Sequence, residues 1–228
     1  MDNPQKNIGH TVGGFAFLLL LFGVFIFLPV RTLYYWQGLV YILVFFLCAG
    51  LITVYLYRKD PKLLARRSKG GPAAEKETRQ KIIQSFASLS LLVLYLLSSF
   101  DHYYGWAAVP LPVILIGDAL TVFGFYIVFI VFRANTFTAA TIDVEEGQTV
   151  ISTGPYAFVR HPMYAGALIM LFGSPLALGS YYGLLAFLPF IFIIVWRLLA
   201  EEKTLSQNLK GYEEYKQKVR YRLVPFVW

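Results

Sequence analysis

The sequence predicts an all-α integral membrane protein of about six transmembrane helices, the last two a tight helical hairpin. Three observations carry that expectation. Of 228 residues, 57% are hydrophobic and only 14% charged, whereas soluble domains average roughly 45–50% and 25%. The apolar residues fall in long continuous runs without the period-two alternation of barrel strands. The basic residues gather between particular runs rather than spreading evenly. Composition of this kind excludes a disordered chain, a nucleic-acid module and a disulfide scaffold.

A spanning helix needs about 20 mostly apolar residues. Six windows meet that length: 12–30, 34–57, 82–100, 109–132, 162–179 and 183–200. Only Ser180, Tyr181 and Tyr182 separate the last two, and Gly173, Pro175 and Gly179 sit near the turn. They read as a tight helical hairpin. Residues 1–132 would then form four N-terminal helices with a basic loop at 58–81, and 133–228 a second unit.

Orientation follows from the net charge of +7. Loop 58–81 holds nine Lys and Arg: Arg58, Lys59, Lys62, Arg66, Arg67, Lys69, Lys76, Arg79 and Lys81. Seven more lie in 197–228. Alternating six spans collects 19 of the 20 basic residues on one side, with Arg31 opposite. That side, carrying both termini, is expected to be cytoplasmic. The basic balance reflects topology rather than nucleic acid.

Smaller features add little. Cys48 lies inside an apolar run, so neither an internal disulfide nor a zinc motif is expected. The first run ends Leu28-Pro29-Val30-Arg31 without a small-residue cleavage site, so a cleaved leader is not expected. Pro225-Phe226-Val227-Trp228 is no prenylation box. Gly9 and Gly13 form a GxxxG, a weak packing signal in a glycine-rich membrane helix.

The formal charges inside the windows are Asp118 and Arg197. An ionised Asp near mid-span costs roughly 2.5–3.5 kcal/mol on insertion scales. Asp118 therefore reads either as an interhelical clamp or cavity wall, or as a hydrogen-bonded residue fixing helix packing. Arg197 and Glu201, four residues apart, share a helix face. They form either an exposed ion pair at the membrane boundary or a polar clamp opening onto the cytosol, with Glu202 beside them.

The richest segment runs from Gln148 to Tyr164. Gly154-Pro155 is a turn signal, and Pro162 suits the first turn of the fifth helix. His161 is then at the cap, where free backbone N–H groups favour an anion. Tyr156 and Tyr164 supply aromatic faces for a flat base or a cation. A lone His at a helix start is, however, commonly structural.

The run Gly154-Pro155-Tyr156, then Arg160-His161-Pro162-Met163-Tyr164, a hairpin, and Arg197 with Glu201-Glu202 resembles the isoprenylcysteine carboxyl methyltransferase family. That family is related to the membrane phospholipid N-methyltransferases. The resemblance covers about residue 135 onward, including Gly211-Tyr212-Glu213-Glu214-Tyr215. It implies an enzyme using S-adenosyl-L-methionine at the cytoplasmic face and releasing S-adenosyl-L-homocysteine. The cofactor would be held by Gln148, Thr149, Val150, Ile151, Tyr156, His161, Pro162, Met163, Tyr164 and Glu201. Arg197 would face the methyl acceptor. Where the family reads Gly-His-x-Leu-Val, this chain has Gly147-Gln148-Thr149-Val150-Ile151, a change that backbone contacts survive.

The residues themselves agree with that chemistry. No GxGxxG follows a predicted strand, so a cofactor site must form where helices end and loops pack over them. Alignment of acceptor, methyl and sulfur can supply about 7–11 kcal/mol. A carboxylate acceptor needs an orienting cation, which Arg197 provides. An amine acceptor needs a base, for which Glu202 or Glu201 is nearest. The expected partners are the bilayer and a lipidic, prenylcysteine-like or other hydrophobic acceptor entering from it. A transporter lined by Asp118 and Arg197, or a non-catalytic scaffold, are the competing classes. Repeated broken helices in two halves, which a transporter would carry, are not apparent.

Overall fold

The computed structural model describes residues 4–68 and 70–228; Lys69, counted above in the basic loop, lies outside them. The described residues form eight α-helices and two short 3-10 turns, with no strand among them. Five helices are long and apolar enough to cross a membrane. These are α1 (Pro4–Val30, apolar from Thr11), α2 (Trp36–Lys59), α4 (Thr78–Tyr104), α5 (Leu111–Ala134) and α7 (Gly183–Asn208). The protein is thus a multi-pass, all-α membrane protein. Short helices α3 (Pro61–Arg67) and α8 (Tyr212–Lys218) flank the long ones.

Window 162–179 differs from expectation. It forms α6 (Pro162–Ala177), a helix of 16 residues. At 1.5 Å per residue that is about 24 Å, short of a roughly 30 Å hydrocarbon core. The cause is local: Pro175 lies in its last turn and Gly179 takes φ +67°, ending the helix before α7 begins. Other boundaries follow similar chemistry. Asp60 closes α2 through its N–H to the Leu56 carbonyl, while its carboxylate accepts the Leu63 N–H at 3.0 Å to start α3. Gly105, at φ +64°, terminates α4.

Helices α5 and α6 pack closest. A Cβ at Gly124 would lie 2.5 Å from the Gly166 carbonyl oxygen, and one at Gly173 2.6 Å from that of Gly117. Small residues on both helices therefore let the two backbones touch, as membrane helices require without a hydrophobic drive between them. The GxxxG of Gly9 and Gly13 does not act this way, for a Cβ at either position meets nothing within 4 Å. Helix α7 approaches α4 where Gly183 faces Ser98.

Polar groups buried among the helices are mostly paired, as a low-dielectric interior demands. Tyr41 donates to Ser174 Oγ at 2.8 Å and contacts the Tyr95 hydroxyl at 3.0 Å. At the end of α4, Asp101 accepts from Ser180 Oγ at 2.6 Å and the Ala107 N–H at 2.8 Å, tying that end to the α6–α7 turn. The Tyr35 hydroxyl donates to the Leu178 carbonyl, and its ring stacks on His102. Asp118 is buried on α5 with Oδ1 unpartnered.

Candidate active site

The opposite ends of these helices, where α2, α5 and α7 finish and α4 and α6 begin, carry a cavity of about 850 Å³, its open mouth included. Its wall is built from five stretches of chain. Residues 135–151 cross the mouth, the 3-10 turn Gly154–Ala157 positions Tyr156, the start of α6 supplies His161 to Tyr164, and α7 supplies Arg197 and Glu201. Tyr212 and Tyr215 of α8 close the remaining side.

Each wall has a local reason. Gly147 at φ +77° allows the tight turn in which the Glu145 N–H donates to Gln148 Oε1 at 3.0 Å. Gln148 Oε1 is thus engaged within the turn, and Val150 and Ile151 pack beside Tyr212 and Tyr215. Asn135 Nδ2 donates to the Tyr156 hydroxyl at 3.1 Å, and Tyr215 donates to the Tyr156 carbonyl at 2.7 Å. Burial pushes the phenols of Tyr156, Tyr212 and Tyr215 above their ordinary range, so all three remain hydroxyls at neutral pH.

The start of α6 is laced to residues 219–222. The Arg160 and His161 N–H groups donate to the carbonyls of Tyr221 and Arg222, both at 2.9 Å. Arg160 Nη1 adds bonds to the Val219 and Arg220 carbonyls at 2.9 and 3.0 Å. Its Nε meets Glu202 Oε1 at 2.6 Å, His161 Nε2 lies 3.3 Å from the same oxygen, and Arg222 Nε holds Oε2 at 2.9 Å. Glu202 is buried in this network and does not line the cavity. That placement corrects the expectation of a base facing an acceptor, because both carboxylate oxygens are already committed to bases.

Arg197 and Glu201 do share a helix face, but no ion pair joins them. The Tyr164 hydroxyl stands between, donating to Glu201 Oε2 at 2.6 Å and accepting from Arg197 Nε at 3.1 Å. Arg197 instead pairs with Glu75 at 2.8 Å, both side chains being buried. The same Nη2 donates to the Ala140 carbonyl at 2.9 Å, and Nη1 reaches Gln80 Oε1 at 3.4 Å. Glu201, by contrast, has no cationic partner among the described residues. The cavity therefore presents one carboxylate that no cation contacts directly, the charges of Arg67 and Arg197 acting on it from farther off.

Loop 58–81 makes the outer roof. Arg66 pairs with Glu145 at 2.7 Å and donates to the Thr136 carbonyl at 2.6 Å, Arg67 donates to the Ala139 carbonyl at 2.8 Å, and Lys76 pairs with Asp143. Burial draws the Arg67 guanidinium below its ordinary pKa, and its charge lies over the Phe132 ring. The structure thus brings all ten expected cofactor residues and Arg197 to one cavity, leaves Glu202 behind its wall, and places Asp118 away from it. Sequence reasoning missed Glu75, Gln80, Asn135, Arg160 and Tyr212. Arg160 and Tyr212 lay within quoted motifs; Glu75 and Gln80 carried no signal, standing in or beside a loop read only for its positive charge.

An all-α bundle of apolar helices with one polar cavity at its rim defines a membrane protein class. Comparison narrows it: residues 113–211 match the phospholipid methyltransferase domain family. Over 154 residues the chain is 30% identical to the probable protein-S-isoprenylcysteine O-methyltransferase of Oryza sativa subsp. indica, covering 64% of this chain and 75% of that one. It is 29% identical over 76 residues to the protein-S-isoprenylcysteine O-methyltransferase of Schizosaccharomyces pombe, 31% of this chain and 30% of that one. It is also 30% identical over 140 residues to the Delta(14)-sterol reductase TM7SF2 of Mus musculus, covering 52% of this chain. The chain spans about a third of that reductase's length, 32%. The chain belongs to the isoprenylcysteine carboxyl methyltransferase family.

Proposed function

We propose that the protein methylates the carboxylate of an isoprenylcysteine-like acceptor, using S-adenosyl-L-methionine at the cytoplasmic membrane face. The observation that carries this reading is Glu201, a cavity carboxylate hydrogen-bonded to the Tyr164 hydroxyl and in direct ion pairing with no cation among the described residues. Such a group suits the ammonium or sulfonium of that cofactor. The Tyr212 hydroxyl, buried on the same wall without a partner, is a donor awaiting an acceptor. The N–H groups opening α6 favour the cofactor's carboxylate. The residues present therefore fit the group.

When bound, the cofactor supplies a methyl group that the acceptor oxygen takes as the carbon–sulfur bond breaks onto sulfur, leaving a methyl ester and S-adenosyl-L-homocysteine. The chain's part is to bind, align and exclude water. Residues 148–151, Tyr156 and His161 to Tyr164 wall the cofactor, Glu201 matches its positive charge, and Arg197 orients the acceptor. Glu202 holds Arg160, His161 and Arg222 in place. In this reading α6 makes a sixth, short crossing, and the basic end of the helices lies in the cytoplasm. Residues 133–228 form the catalytic unit, roofed by loop 58–81.

Transfer of tritium from labelled cofactor to an N-acylated S-isoprenylcysteine tests the reading. Base-labile label in the extracted product supports it, and no transfer overturns it. The match to the phospholipid methyltransferase domain, with a free Glu201 in the cavity, favours one second reading, amine N-methylation; base-stable label in extracted lipid would establish that instead. Calorimetry with S-adenosyl-L-homocysteine tests the residues: Glu201→Ala and His161→Ala each weaken binding by more than about ten-fold, or 1.4 kcal/mol. Unchanged affinity would refute the residue roles.

A further inference from the structure

Arg197 presents a difficulty for an anionic acceptor, because its charge is already neutralised. Glu75 Oε1 sits 2.8 Å from Nη2, with its side chain 1% exposed and that of Arg197 8% exposed. The remaining bonds of the guanidinium go to neutral oxygens: the Tyr164 hydroxyl, the Ala140 carbonyl and Gln80 Oε1. If Glu75 left, those three would still hold the guanidinium in place, and one charged seat would fall open on the cavity wall. A second carboxylate could take that seat with little change in local charge, whereas a neutral group would strand a buried cation.

The segment bearing Glu75 is suited to leave. It runs from Gly70-Gly71, with Gly71 at φ +96°, through the 3-10 turn Pro72–Ala74 to Lys76. Its other ion pair, Lys76 with Asp143, is largely solvent-exposed and so weak. Glu75 is the buried ionic attachment of this strap to the cavity.

We propose that the Glu75 carboxylate occupies, on Arg197, the seat that the acceptor's carboxylate takes in turnover, so that acceptor binding displaces Glu75 and the strap that carries it. The strap then discriminates by charge: an acid exchanges with Glu75, while its methyl ester, lacking the charge, lets Glu75 return and expels the product. This inference rests on the carboxyl-methylation reading above and specifies how that site selects its substrate.

The test uses the full chain in vesicles, with an N-acylated S-isoprenylcysteine as acceptor. Glu75→Gln keeps the shape and removes the competing charge. Acceptor KM is expected to fall about ten-fold, with kcat within about two-fold and S-adenosyl-L-homocysteine affinity unchanged. A lower kcat with KM unchanged or raised would mean that Glu75 only positions Arg197, and the displacement is then wrong. A second measurement needs no variant. Limited trypsin cleavage of the unaltered protein at Lys76 should quicken with the acid and not with its methyl ester. Equal rates with both also overturn the displacement. Absence of ester formation by the unaltered protein defeats the methylation reading and the exchange with it; ester formation without the KM fall defeats the exchange alone.

Discussion

Two oxygens of Glu202 serve two guanidinium groups and an imidazole, and this buried arrangement couples the start of α6 to residues 219–222. Removing one member of a buried ionic set leaves the others uncompensated, at about 3–5 kcal/mol. Glu202→Ala is therefore expected to lower the thermal unfolding midpoint in detergent sharply. Glu202→Gln, which still accepts hydrogen bonds, should lose less. Tyr212 makes the opposite kind of prediction. Its buried hydroxyl lacks a partner, a state that costs about 1–3 kcal/mol. Tyr212→Phe should leave the free protein as stable or more so, while reducing the added stability conferred by S-adenosyl-L-homocysteine. Differential scanning fluorimetry with and without that ligand reads both effects; an undiminished ligand shift would remove Tyr212 from the site. Neither residue's role could be read from the sequence, since each depends on which groups the fold sets against it. The positions of His161 and Tyr164 at the cavity were readable because Pro162 fixes where their helix begins.

The α5–α6 contact is the element whose geometry is least forgiving. A leucine at Gly124 would drive its side chain into the Gly166 carbonyl and Met170, an overpacking that costs about 1–3 kcal/mol or more. Gly124→Leu is expected to unfold at lower temperature and, on the proposed methyltransferase reading, to lose S-adenosyl-L-homocysteine binding, since α6 carries His161 and Tyr164. Gly13→Leu should change neither, as nothing lies within 4 Å of a Cβ there. Thermal melts of the two variants compare them directly. The glycine pattern most visible along the chain was thus not the one that packs. Pairing of small residues depends on what the neighbouring helix presents, and the spacings at 117 and 124, or 166 and 173, give no sign of that alone. Window 162–179 was legible as a helix but not as a short one, because the Gly179 conformation sets its end.

For the whole molecule, composition was enough for the all-α membrane class, since 57% apolar residues in long runs leave no soluble alternative. The distribution of Lys and Arg goes further and predicts sidedness. In a Cys48→Ser background, a membrane-impermeant maleimide should label Lys62→Cys only from the cytoplasmic side and Leu33→Cys only from the other. Both positions are exposed. Labelling of both from one side would overturn the orientation. What charge counting could not provide is the roof over the cavity, because it treats the nine cations of 58–81 as a sum and ignores the three acids among them, Asp60, Glu75 and Glu77. Glu75 and Arg197 are 122 positions apart. During N-to-C synthesis the first four long helices can insert and settle while Glu75 still has no counter-ion, and the cavity acquires its charge balance only when α7 has emerged. Completion of the cavity is consequently a late event in biogenesis, and the nascent protein spends most of its assembly without it.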